Sequence, residues 1–76
     1  MNYKNEIKYF RKVLTEQRVK SGLTHYKIGQ YIGLLSNTSY KRLESNGNAS
    51  LETLLKLSDK LNLSIEIKNG KLFVFD

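Results

Sequence analysis

Seventy-six residues make one small domain, whose core is marginal unless packing is efficient or a second subunit adds to it. The absence of cysteine excludes disulfides and thiolate metal sites. No apolar run approaches a membrane span or a signal-peptide core, so a soluble, cytoplasmic protein is expected. The formal charge of +6 is uneven, because residues 1–42 carry nine basic and two acidic side chains and residues 43–76 carry four and five. Such an excess on one half suits a phosphate-bearing partner, although solubility alone is the other reading.

The first helix is predicted from Asn5 to about Ser21, with Ile7, Phe10, Val13 and Leu14 as its inward stripe. Lys4, Lys8, Arg11 and Lys12 fill the remainder of its first half as a mainly solvated face. Gly22 ends it and Leu23 plugs the bend. A second helix starts at Thr24, whose side-chain oxygen can accept a bond from an orphan backbone N–H, with Ile28, Tyr31 and Ile32 facing inward. Gly33 stops that helix in the left-handed conformation. A third begins within a few residues, capped by Ser36, with Tyr40 and Leu43 inward and Asn37, Thr38, Lys41 and Arg42 outward.

Residues 45–49, Ser-Asn-Gly-Asn-Ala, read as a turn, and Ser50 caps a further helix whose apolar face is Leu51, Leu54, Leu55, Leu57 and Leu61. Beyond it, residues 64–68 alternate as a strand, Asn69-Gly70 is a two-residue hairpin signal, and residues 71–75 return. That turn pairs Lys68 with Lys71, Ile67 with Leu72, Glu66 with Phe73 and Ile65 with Val74. The second strand is apolar on both faces, and an isolated hairpin is barely stable in water. A dimer interface made by Ile65, Ile67, Leu72, Phe73, Val74 and Phe75 is therefore expected, with folding back onto the chain's own helices as the alternative.

Thr24, Gly29, Gly33, Ser36, Leu43 and Glu44, with Arg18 ahead of Gly22-Leu23-Thr24, resemble the helix-turn-helix of the Cro/repressor-type (xenobiotic-response-element-like) family. The likeness runs from about Phe10 to Leu63. It implies a mostly α fold of four to five helices, a lambda-repressor-like DNA-binding domain over residues 1–63, followed here by a C-terminal β-hairpin over residues 64–76. It further implies an ion pair between Arg18 and Glu44 and close helix packing at Gly29. Two departures stand out. Leu34 and Leu35 occupy a place where the family has a single apolar residue, so the extra residue is assigned to the turn, and Gln17 replaces an apolar residue.

On this reading the partner is double-stranded DNA. Asn37, Thr38, Lys41 and Arg42 are the base-edge candidates, since amide, hydroxyl and cationic donors on a short helix suit the major groove. Thr24, His25, Ser36, Ser39 and Asn48 are the phosphate candidates, and plain exposure is the other reading for His25. No cofactor or metal is expected, and no nucleophile–base pair, phosphate loop or acidic cluster supports an enzyme. The function expected is a sequence-specific regulator, a repressor acting as a homodimer on a palindromic operator. The helix-to-strand junction at residues 61–67 also resembles that of HipB-like antitoxins, which implies an alternative in which a toxin protein is bound. A helix-turn-helix kept only for protein interaction is the third possibility.

Overall fold

The computed structural model describes residues 3–34 and 39–75. The elements among them run α1 (Lys4–Ser21), α2 (His25–Tyr31), α3 (Ser39–Asn46), α4 (Leu51–Lys60), β1 (Ser64–Lys68) and β2 (Lys71–Phe75). The helix ends follow from local chemistry. Thr24 Oγ1 accepts the Lys27 N–H and Ser50 Oγ accepts the Thr53 N–H, each at 3.2 Å. Gly22 closes α1 in the left-handed conformation, with its N–H donating to the Val19 carbonyl at 3.1 Å. The predicted cap at Ser36 lies outside the described residues.

The core is assembled from all four helices. Phe10 and Leu14 of α1, Ile28 and Ile32 at α2, Tyr40 and Leu43 of α3 and Leu57 of α4 form one buried cluster. Leu23, Leu34, Ala49, Leu54, Leu61, Ile65 and Leu72 pack around it. Burial of these side chains is the main favourable term in a chain this short. Tyr40 is buried at no polar cost, because its hydroxyl donates to the Leu14 carbonyl at 2.8 Å.

Several positions expected inside are outside. Tyr31 is 55 % exposed and Ile7 is 44 % exposed, and on α4 Leu51 and Leu55 are 72 % and 62 % exposed. The seven-residue α2 offers one buried stripe, taken by Ile28 and Ile32, so Tyr31 is turned out. Helix α4 meets the core with Leu57, flanked by Leu54 and Leu61, and Leu51 and Leu55 stay largely exposed beside β1.

Leu63 and Ser58 lock α4 to the hairpin: the Leu63 N–H donates to the Ser58 carbonyl, and Ser58 Oγ donates to the Leu63 carbonyl at 2.7 Å. The strands pair antiparallel as Ser64↔Phe75, Ile65↔Val74, Glu66↔Phe73, Ile67↔Leu72 and Lys68↔Lys71. Asn69 and Gly70 have φ of 52° and 77°, the primed-turn geometry whose twist suits a hairpin. One face of this hairpin folds back on its own domain through Ile65 and Leu72, two of the residues assigned by sequence to a dimer interface. Ile67, Phe73 and Phe75 stay exposed.

Candidate nucleic-acid interface

Helix α3 is amphipathic by construction. Tyr40 and Leu43 are buried and leave Lys41 and Arg42 exposed on the opposite side. The close seat of α3 on α2 depends on Gly29, where an added Cβ would lie 3.2 Å from Tyr40 Cβ. Of the four base-edge candidates, Lys41 and Arg42 stand outward on α3, whereas Asn37 and Thr38 lie outside the described residues.

A polar cluster fixes the other end of α3. Arg18 donates to Glu44 through Nε at 3.0 Å and Nη2 at 3.3 Å, and Thr15 Oγ1 donates to Glu44 Oε1 at 3.0 Å. Burial by itself would raise the Glu44 pKa. The hydrogen bonds from Arg18 and Thr15, with the charges of Arg18 and His25, outweigh it and hold the carboxyl below its ordinary value. Burial pushes the Tyr40 phenol upward, so it remains a neutral donor to Leu14. Arg11 adds a bond from Nε to the Glu44 carbonyl at 3.3 Å, capping the carboxyl end of the helix with a cation.

The phosphate candidates are spread around this frame. Thr24 is exposed and caps α2. His25, half-buried, turns Nε2 to within 3.6 Å of Glu44 Oε1, and its ring centroid lies 6.2 Å from that of Tyr40. It therefore belongs to the Glu44 cluster as well as to the start of α2, a place that neither sequence reading gave it. Ser39 is half-buried at the first described turn of α3, Asn48 is exposed in the following loop, and Ser36 lies outside the described residues.

An open groove of about 360 Å³ runs between α3, the loop after it and the start of α4. Arg42, Asn46, Asn48, Ser50 and Thr53 supply its polar wall, with Leu34 and Leu43 as its apolar floor. Asn46, Ser50 and Thr53 were not among the sequence candidates; the turn-like composition of residues 45–49 was the only signal for Asn46, Ser50 was read as a helix cap, and Thr53 carried no signal. Gly47 shapes this loop. Its φ is +68° and an added Cβ would meet Ile7 Cγ2 at 2.8 Å, so the chain turns tightly against α1. The Asn48 N–H then donates to Asn46 Oδ1 at 2.8 Å. The result is an exposed helix carrying Lys41 and Arg42, bordered by a donor-rich groove. Such a surface can follow a phosphate backbone while side chains reach base edges.

A family model described as Helix-turn-helix matches residues 14–68. Among curated proteins and solved structures, none matches the chain significantly.

Proposed function

The chain belongs to the Cro/C1-type helix-turn-helix family of DNA-binding transcription regulators, and from that premise we propose that it is a repressor acting as a homodimer on a palindromic operator. The observation that carries this reading is α3 itself, anchored inward by Tyr40 and Leu43 and holding Lys41 and Arg42 out beside the groove. In the dimer the two α3 helices enter successive major grooves about 34 Å apart. Asn37, Thr38, Lys41 and Arg42 read base edges, the amide suiting adenine and the cations suiting guanine. Thr24, His25, Ser36, Ser39 and Asn48 set the register by touching phosphates.

Selection of bound duplexes from a random pool tests the proposal. A palindromic consensus with half-sites one helical turn apart is the expected product. An asymmetric consensus would remove the dimer, and no enrichment at all would remove sequence-specific binding. Affinity for the selected site should fall steeply with salt, as counterion release requires.

A second reading, that the chain is the antitoxin of a toxin–antitoxin pair, draws support from one observation. Phe73 and Phe75 stand 41 % and 52 % exposed on the outer face of the hairpin, beside Lys68 and Lys71, where a protein partner could seat. Co-expression with a neighbouring toxin-like reading frame tests it. Co-purification lost in Phe73→Ser/Phe75→Ser supports the antitoxin role, and independent migration of the two products discards it.

A further inference from the structure

Helix α2 ends without a cation of its own. None of its last-turn residues is basic, although the carbonyls at a helix end favour a positive charge there. The chain leaves α2 through a tight bend, in which the Gly33 N–H donates to the Gln30 carbonyl at 3.1 Å and the Leu34 N–H to the Gly29 carbonyl at 2.9 Å. These two bonds, around a glycine at φ of +84°, satisfy carbonyls of the last turn. The carbonyl of Gly33 itself faces α4, where it accepts a bond from Lys56 Nζ at 3.2 Å. The missing cation is thus supplied by another helix.

Lys56 is held in this place from three sides. Its stem crosses the open side of Gly33, where an added Cβ would lie 3.9 Å from Lys56 Cδ and 4.0 Å from Cε. Glu52, one turn earlier on α4, approaches Nζ at 3.6 Å, with the acid N-terminal to the base as a helical pair prefers. The Lys56 side chain is 36 % exposed against 79 % for Glu52, so the lysine is the more shielded of the two. Its bond to the carbonyl is charge-assisted and hence stronger than a neutral one. Leu34 follows Gly33 and Thr53 lies one turn before Lys56, and both line the groove beside α3. The clamp therefore joins α4 to the outlet of α2 at the border of the candidate interface.

We propose that Lys56 is a positioning residue for base reading: by holding the Gly33 carbonyl it sets where the chain departs for α3. The inference rests on the reading of the chain as a sequence-specific regulator, in which Asn37 and Thr38 reach base edges. Both follow Gly33 within a few residues, so a displacement at Gly33 is passed to them over a short stretch of chain. The rest of the frame does not depend on Lys56. Gly29 and Tyr40 set how closely α3 seats on α2, and Ile28, Ile32 and Leu57 pack the helices together. Loss of the ammonium is therefore expressed in discrimination between sequences more than in stability. A direct contact of Lys56 with phosphate is the rival role, and it predicts a loss shared by every duplex.

Full-length wild type, Lys56→Met, Lys56→Arg and Glu52→Gln test the assignment. Fluorescence anisotropy on the selected operator and on a random duplex gives the ratio of the two affinities, and amide hydrogen exchange follows Leu34. Lys56→Met keeps the apolar stem and removes the charge. It should lower the ratio about 10-fold and speed exchange at Leu34, while the Ile28 and Ile32 amides stay protected. Lys56→Arg should restore the ratio, since a guanidinium can donate to the same carbonyl, and Glu52→Gln should change it little. An unchanged ratio or unchanged Leu34 exchange in Lys56→Met overturns the inference. So does an equal loss on both duplexes with a shallower salt dependence, which is the phosphate role, or a loss of the fold, which is a purely structural one. The two levels fail differently. A wild type that enriches no consensus ends the regulator reading and this role with it, whereas a wild type that reads its operator no better than Lys56→Met does ends only the positioning role.

Discussion

Arg18 of α1 holds Glu44 of α3 through two hydrogen bonds of 3.0 and 3.3 Å, across 26 positions of sequence, and this pair ties α3 to the body of the domain. The Glu44 side chain is only 10 % exposed, in contrast to the open Lys12–Glu16 pair on α1. Removing one partner of a shielded pair leaves the other desolvated and unmatched.

Arg18→Met should therefore lower the thermal midpoint well beyond the effect of Glu16→Gln, whose solvated pair contributes little. Arg18→Met/Glu44→Leu should recover part of the loss, since it leaves no stranded carboxylate. Differential scanning calorimetry of the four proteins checks the order, and equal effects of Arg18→Met and Glu16→Gln would contradict it.

Acid should unfold the protein in part through the same residue. Glu44 titrates below its ordinary value of about 4.5, so the folded state binds this proton less readily than the unfolded one. Its contribution to stability is complete above the ordinary value and is lost as pH falls through the lowered folded value. Denaturant midpoints measured from pH 7 down to pH 3 should hold until the pH drops below about 4.5 and decline beneath it. In Glu44→Gln the decline should be shallower from a lower starting stability.

Packing between α2 and α3 gives a test of position. The Cβ site at Gly29 is already 3.2 Å from Tyr40 Cβ, so Gly29→Val forces the helices apart. Overpacking of this kind costs about 1–3 kcal/mol, read from denaturant titration. Affinity for the selected operator should fall as well, because Tyr40 anchors the helix that carries Lys41 and Arg42.

Base reading and phosphate binding separate by substitution. Arg42→Ala or Asn37→Ala should cost about 1–3 kcal/mol on the selected operator and relax preference at one position of each half-site. Fluorescence anisotropy on operator and random duplexes measures both effects. A loss equal on the two duplexes would move the residue to the phosphate group.

Much of the fold was legible in the chain because its signals are local. Thr24 and Ser50 cap helices within three residues of themselves, Gly22 and Gly33 take positive φ where helices stop, and Asn69-Gly70 sets the strand register with no help from elsewhere. The candidate site was legible in outline for a related reason: Tyr40 and Leu43, three apart, define an inner face, and Lys41 and Arg42 must then be outer.

What the sequence determined by itself was thus the order and type of the elements and the helix ends at Gly22, Thr24 and Ser50, along with the side of α3 that faces out, since these depend on neighbours a few residues apart. Tertiary structure alone decided which apolar residues are covered. A helical stripe shows that Leu51, Leu54, Leu55 and Leu57 are apolar, and only the placement of the other helices and the hairpin buries Leu57 and leaves Leu51 and Leu55 open. It also decided that Glu6 accepts the Leu72 N–H of the hairpin, a contact across 66 positions that no local pattern encodes. Burial and edge pairing are properties of what lies opposite a residue, and that is settled when the chain packs.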